Sequence, residues 1–247
     1  MLDYDEEAER YDALRGGEPR AQAAAEAVMG LVPRQARRLL DVACGTGIVT
    51  RRFPASRPGL RVTGVDLSSS MALRAAARLP GAVVRADSRR LPFRDASFDA
   101  VVSVWLLHLL TDPADVRAVV AECARVLRPG GVYVTTVHKG LSHNVGSDID
   151  AVLAGRPPSP VPDDPDTVAA CAAGHGLVPA GEARFRGHGQ GRSPRRTVDD
   201  LRRGWFLTLP PGRPIAEEFA ARLSALPDQD RPRPDPVFTL RAFRRTP

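Results

Sequence analysis

Leu39-Leu40-Asp41-Val42-Ala43-Cys44-Gly45-Thr46-Gly47 decides the fold of this 247-residue chain. Its first half is an apolar run suited to a buried strand, and its second half turns on two glycines. A helical pattern is expected from about Ile48. A strand feeding such a turn and then a helix presents free backbone N–H groups at the strand's carboxyl end. Open α/β sheets bind nucleotide-like ligands there. A dinucleotide fold calls for Gly-x-Gly-x-x-Gly. Here the run is Gly45-Thr46-Gly47-Ile48-Val49-Thr50, so a threonine takes the third glycine's place. Asp41 precedes the turn, where it could reach an amino group.

Downstream the same alternation repeats. Arg61-Val62-Thr63-Gly64-Val65-Asp66 is a second strand ending in an acid, roughly 20 residues past the glycines, the spacing at which a carboxylate meets ribose hydroxyls. Leu67-Ser68-Ser69-Ser70-Met71 opens a helix, with serines as caps. A third strand over 82–86 leads to Asp87-Ser88. Leu91-Pro92-Phe93-Arg94-Asp95-Ala96-Ser97-Phe98-Asp99 enters a fourth strand over 100–104, followed by Trp105-Leu106-Leu107-His108. An amphipathic helix over 116–127 stops at Arg128-Pro129-Gly130-Gly131, before a fifth strand over 132–137.

Asp41 to Gly47 resembles the first motif of the class I S-adenosylmethionine-dependent methyltransferases: an acid, three residues, then Gly-x-Gly. Val65 to Met71 is similar to that family's Val-Asp-x-Ser-x-x-Met, and residues 91–99 match the Leu-Pro-Phe-x-Asp-x-Ser-Phe-Asp of its ubiquinone-type and natural-product members. The resemblance covers about 35–137 strongly. It implies a doubly wound, Rossmann-like sheet of seven mostly parallel strands in the order 3-2-1-4-5-7-6. The implied function is methyl transfer from S-adenosylmethionine to a small-molecule O, N or C acceptor (EC class 2.1.1). The cofactor contacts it implies fall on Tyr11, Asp41, Ala43, Cys44, Gly45, Gly47, Asp66, Leu67, Met71, Asp87, Ser88 and Val104. Asp87 is expected at the adenine amino group. His108 and His138 are the candidate bases, with His143 nearby, although the family's Leu-His-His-Leu reads Leu107-His108-Leu109-Leu110 here.

Residues 1–37 read as two helical pieces broken at residues 15–19, forming a cap. Tyr4 and Tyr11 serve either as core packing or, with Asp12, as a closure over the nucleoside. After His138 the match fades. A loop spans 155–165, a helix 166–174, a strand 177–186, helices 197–209 and 215–226, and a last strand 237–244. Residues 197–226 are expected to form a lid inserted into a domain spanning 38–247. Trp205, Phe206 and Leu209 are expected to face the acceptor from a helix of that lid, and Trp105, after the fourth strand, is expected to face it from the sheet edge.

Composition is that of an ordinary globular domain, with 43% hydrophobic and 26% charged residues. The acidic start has no apolar core, so no signal peptide is expected, and no apolar run approaches a membrane span. Cys44, Cys123 and Cys171 are dispersed and odd in number, which suits a reducing cytoplasm better than a disulfide framework. The net charge of +6 raises the question of a nucleic-acid partner. The position after the fourth strand holds Ser103-Val104-Trp105-Leu106, not the Asn/Asp-Pro-Pro-Tyr/Phe of nucleic-acid amino methylases. Arg184, Arg186, Arg192, Arg195 and Arg196 read as a solvated loop. A small-molecule partner is expected, and oligomeric state is not legible. A non-catalytic cofactor-binding module and a cyclase on the same fold are the other readings.

Overall fold

The computed structural model describes residues 4–206 and 208–247. Residues 1–3 of the expected cap and Leu207 of the expected lid lie outside the described residues. Seven strands form one sheet: β1 (Arg38–Val42), β2 (Arg61–Asp66), β3 (Val83–Arg85), β4 (Phe98–Ser103), β5 (Leu127–Val137), β6 (Leu177–Arg186) and β7 (Val237–Arg245). Their order is β3-β2-β1-β4-β5-β7-β6, as expected. All pairings are parallel except those of β7, which runs antiparallel to both β5 and β6.

Side chains alternate across a strand, so each strand contributes to two cores. On one face Leu39, Ala100, Val102, Val134 and Leu240 pack with Ala21, Ala24 and Val28 of helix α3 (Gly17–Leu31) and with Phe53 of α4 (Arg52–Ser56). On the other face Leu40, Val42, Val101, Tyr133 and Phe243 pack with Val116, Val119 and Cys123 of α6 (Pro113–Val126) and Val168 of α8 (Pro165–Ala173). Between them in the chain, α5 (Ser69–Arg78) follows β2, capped by the Ser68 hydroxyl, which accepts the Met71 N–H.

Four local expectations change, and one is that residues 128–131 lie inside β5, which pairs from Leu127 beside Phe98, and do not precede it. The first N-terminal piece divides into α1 (Tyr4–Glu7) and α2 (Tyr11–Leu14), and α3 begins at Gly17 rather than near Ala21. Pro19 falls in the first turn of α3, where a missing N–H costs nothing. The helix expected from Ile48 is a run of turns, with Arg52 N–H bonded to Val49 and Phe53 N–H to Thr50, and α4 starts only at Arg52. Pro54 lacks the N–H that a helix begun at Ile48 would donate to Thr50, and so fits only the first turn of α4. The helix expected over 197–209 is α9 (Pro194–Arg202), which ends at Gly204 with φ +77°. Trp205 and Phe206 therefore lie in the loop beyond it.

A third core joins α9 to α10 (Pro214–Ser224) and to α7 (Asp148–Leu153), a helix the sequence pattern did not single out. Ile149, Leu153, Leu201, Leu209, Phe219 and Leu223 fill it. Leu209 is fully buried there, within the core that α7, α9 and α10 share.

Candidate functional site

The glycine turn sits at the carboxyl end of β1. Ala43, Gly45 and Gly47 all have positive φ (61°, 56° and 74°), a path that favours glycine at two of the three places. At Gly47 the reason is packing, because a Cβ would come within 3.0 Å of Ala75 Cα on α5. At Gly45 the reason is space: a Cβ there would meet no protein atom within 4 Å. The backbone of Gly45 is thus open on one side.

Asp66, at the end of β2, holds this turn. Its Oδ2 accepts the Gly45 N–H at 2.7 Å and its Oδ1 accepts the Ser68 N–H at 3.0 Å. It is only 9% exposed. Burial raises its pKa, opposed by those backbone donors. Asp41 is buried one strand over and accepts the Thr50 hydroxyl at 2.6 Å. Burial pushes its pKa up to about 7. Thr50, at the third-glycine position, thus serves as the donor that Asp41 needs. Cys44 packs its sulfur against Gly64, where a Cβ would approach to 2.8 Å, and burial pushes its thiol pKa up.

The remaining cofactor candidates differ in exposure and partners. Leu67 is 59% exposed beside Asp66, whereas Met71 and Val104 are buried. Asp87, after β3, is gripped by Arg89, whose Nη2 reaches Oδ2 at 2.7 Å, and Arg89 also bridges to Asp115 at 3.0 Å. The Arg89 guanidinium holds the Asp87 carboxyl below the usual range. Ser88 is half-buried next to it. On the N-terminal side the Tyr11 ring lies 6.1 Å from that of Tyr4. The phenol of Tyr4 is pushed up by burial, with the charges of Tyr11 and Asp66 adding to it.

Past β4 the backbone of Trp105 takes φ +60°, and its N–H donates to Thr136 Oγ1 at 3.0 Å. The indole meets Phe185 and Phe238 edge-on at 5.6 Å each, and the Arg20 guanidinium lies 4.1 Å over its ring. Its Nε1 is buried with no hydrogen-bond partner, as is Nδ1 of His108. His108 occupies a short 3-10 turn, Leu107–Leu109. Burial, then the charges of Lys139 and Arg15, hold its pKa well below the ordinary value. His143 shares this surrounding, its pKa lowered by burial and by Arg192, Lys139 and Arg15.

His138 stands apart. Its backbone has φ +51°, and its Nε2 lies 3.2 Å from Asp164 Oδ2, the acid that caps α8. The two histidines that the sequence placed at one sheet edge therefore have different partners, and His108 groups with Lys139 and Arg15 instead.

That group was not foreseen. Lys139, the chain's only lysine, follows β5 and is drawn down to about 7, first by burial and then by Arg15, Arg192 and Arg20. Arg15 lies 4.4 Å over the Trp205 ring and Arg192 5.6 Å over that of Phe206. The solitary lysine was the one sequence signal that could have flagged it. Arg184, Arg186 and Arg195 of the expected arginine loop are mostly exposed, as a solvated surface requires. Arg184, Arg186 and Arg195 pair with Glu182, Asp235 and Asp230, and Arg196 donates to the Leu14 carbonyl. Arg192, read as solvated, is half-buried, with its guanidinium 5.6 Å from the centre of the Phe206 ring.

The profile described as "Methyltransferase domain" matches residues 40–135, the span that carries the turn, Asp66, Asp87, Trp105 and His108. The ubiquinone/menaquinone biosynthesis C-methyltransferase of Paracoccus denitrificans is 40% identical over 41% of this chain and 42% of its own. The 27-O-demethylrifamycin SV methyltransferase of Amycolatopsis mediterranei is 40% identical over 41% of this chain and 39% of its own. The chain thus spans about two-fifths of the length of these curated relatives. A SAM-dependent methyltransferase structure from Thermotoga maritima shares the fold across 98% of both chains, with TM-score 0.58 and 15% identity. Residues 40–135 of this chain match a methyltransferase domain, and the chain shares the fold of a SAM-dependent methyltransferase structure.

Proposed function

We propose that the chain binds S-adenosylmethionine at the glycine turn and methylates a small molecule beneath the helical layer of α7, α9 and α10. The observation that carries this reading is the joining of Asp66 to Gly45 beside a backbone left open at Gly45. That open face is the space a nucleoside's backbone contacts need. Asp66 retains lone pairs on both oxygens for ribose hydroxyls. Ala43, Cys44, Gly45 and Gly47 would supply backbone contacts, with Leu67, Met71, Asp87, Ser88 and Val104 around the base and Tyr11 closing from the N-terminal side. S-adenosylmethionine, when bound, supplies an activated methyl group, so the protein's main work is alignment and exclusion of water.

His108 supports acceptor deprotonation. Its ring is neutral near pH 7, and its buried Nδ1 lacks a protein partner. His138, paired with Asp164, is the second candidate. Trp105, Trp205 and Phe206 would line the acceptor space, since aromatic rings carry much of a small ligand's buried surface. The helical layer would serve as the lid, and α1, α2 and α3 as the cap. The ion pairs of Arg184, Arg186 and Arg195 favour a small molecule over a nucleic acid. No helix among the described residues is long and apolar enough to cross a membrane, and the three free cysteines suit a reducing compartment such as the cytoplasm.

Calorimetric titration with S-adenosylhomocysteine tests the reading. Hydrogen bonds to a charged partner contribute about 1.5–3 kcal/mol each, so Asp66→Ala should weaken binding by about 10²-fold or more, and Asp66→Asn by less. Equal affinity in wild type and Asp66→Ala would place the nucleoside elsewhere.

A further inference from the structure

The cationic side chains around Lys139 exceed what the methyl-transfer reading uses. Lys139 comes from the end of β5, Arg192 from the segment before α9, and Arg15 from the segment after α2. The charges of Arg15 and Arg192 both bear on Lys139, and Arg15 bears on Arg192 as well. Among the described residues none of the three has a carboxylate within ion-pair distance. Asp200 lies within electrostatic reach of Arg15 and Arg192, and Asp163 of Lys139, but Asp163 spends its Oδ2 on the Lys139 backbone N–H at 2.7 Å. The two guanidiniums rest on aromatic faces, Arg15 on Trp205 and Arg192 on Phe206. His108 adds an unpartnered buried Nδ1 to the same surround.

Cations drawn partly out of water without a counter-ion at hand are costly, and three half-buried ones that repel one another are more so. A fold keeps such a group where something negative completes it. Guanidinium forks match the planar oxygens of carboxylates and the tetrahedral oxygens of phosphates, and an ammonium adds a point charge.

We propose that Lys139, Arg192 and Arg15 form a subsite for an anionic group, a carboxylate or phosphate, on the methyl acceptor. The inference rests on the methyl-transfer reading and narrows it to acidic small molecules. Trp205 and Phe206 then have two tasks: they seat the guanidiniums and cover the acceptor's apolar part. A neutral acceptor would leave the cations uncompensated once the helical layer excluded water.

The test is calorimetry on the full chain saturated with S-adenosylhomocysteine, at constant ionic strength, with benzoate, inorganic phosphate and benzyl alcohol as probes. Benzoate or phosphate is expected to bind the loaded chain, with benzyl alcohol weaker by about tenfold or more. Arg192→Gln and Lys139→Gln should each weaken the anion by about tenfold while leaving S-adenosylhomocysteine affinity unchanged. Arg192→Lys, which keeps the charge, should retain most of the binding. The proposal is overturned if neither anion binds the loaded chain, if benzyl alcohol binds as well as benzoate, or if the neutral variants bind anions like wild type. It is also overturned if the anions compete with S-adenosylhomocysteine, since the cations would then serve that ligand's own carboxylate. Failure of S-adenosylhomocysteine to bind wild type would instead remove the methyl-transfer reading on which the subsite rests.

Discussion

The Thr46 hydroxyl donates to Asp12 Oδ1 at 2.6 Å, fastening the N-terminal segment to the middle of the glycine turn. Arg78, on α5, completes the joint: it pairs with Asp12 Oδ2 at 2.6 Å and donates to the Thr46 carbonyl at 2.8 Å. One carboxylate thereby couples α2, the turn and α5.

Asp12→Ala should release this joint. The expected loss of stability is about 1–2 kcal/mol, since the pair is partly exposed. Trypsin should then cut at Arg10 or Arg15 faster than in wild type, and S-adenosylhomocysteine should bind several-fold more weakly. Unchanged proteolysis would show that the segment is held by other contacts.

Asp41 gives the protein a pH-dependent stability of known sign. Its folded pKa of about 7 lies above the ordinary value of 3.8, so the folded state favours the protonated acid. Stability from this group is full below the unfolded value and is lost as pH rises toward 7, by at most about 1.4 kcal/mol per pH unit. Asp41→Asn should remove this slope in chemical denaturation between pH 4 and 7. The variant should equal or exceed wild type at pH 8, where wild type carries a buried charge. Parallel curves for the two proteins would refute the assignment.

Leu209 tests the helical layer. Truncation of a fully buried leucine costs about 2–5 kcal/mol through lost contacts and the cavity left behind. Leu209→Ala should therefore speed hydrogen exchange in α7, α9 and α10, which share its core, and leave β1, β4 and β5 protected longer. Uniform loosening of the whole chain would show that the layer does not open as a unit.

His108 should titrate well below the ordinary imidazole range, and NMR of its ring will show this directly. The causes are burial and the charges of Lys139 and Arg15. Removing one cation with Lys139→Met should shift the titration upward, toward the ordinary value. A shift downward, or none, would separate the two side chains.

The central domain was legible because its signals are local. Periodicity and two glycines located β1 and the turn, an acid at a strand's end located Asp66, and the boundaries of β6 matched residue for residue. Pro54, which delays one expected helix, and Gly204, which ends another, were also visible in the sequence, but their effect depends on where the competing helical pattern begins. The lid region was harder. Its core needs Ile149 and Leu153 of α7, from a six-residue helix too short for periodicity to reveal.

What the sequence by itself determined is the strand–turn–helix alternation, the places of Asp41, Asp66 and the glycines at the strand ends and turn, and, through its motifs, the strand order. Each depends on residues within a few positions of one another or on a spacing between successive elements. Only the tertiary structure decided that Arg192 is half-buried beside the Phe206 ring, that His138 pairs with Asp164 while His108 joins Lys139, and that Arg15 lies over Trp205. Those outcomes join residues from separate elements, in the case of Arg15 and Trp205 from opposite ends of the chain. Charge and burial there are set by which distant side chains exclude water, and no local pattern in the chain encodes that.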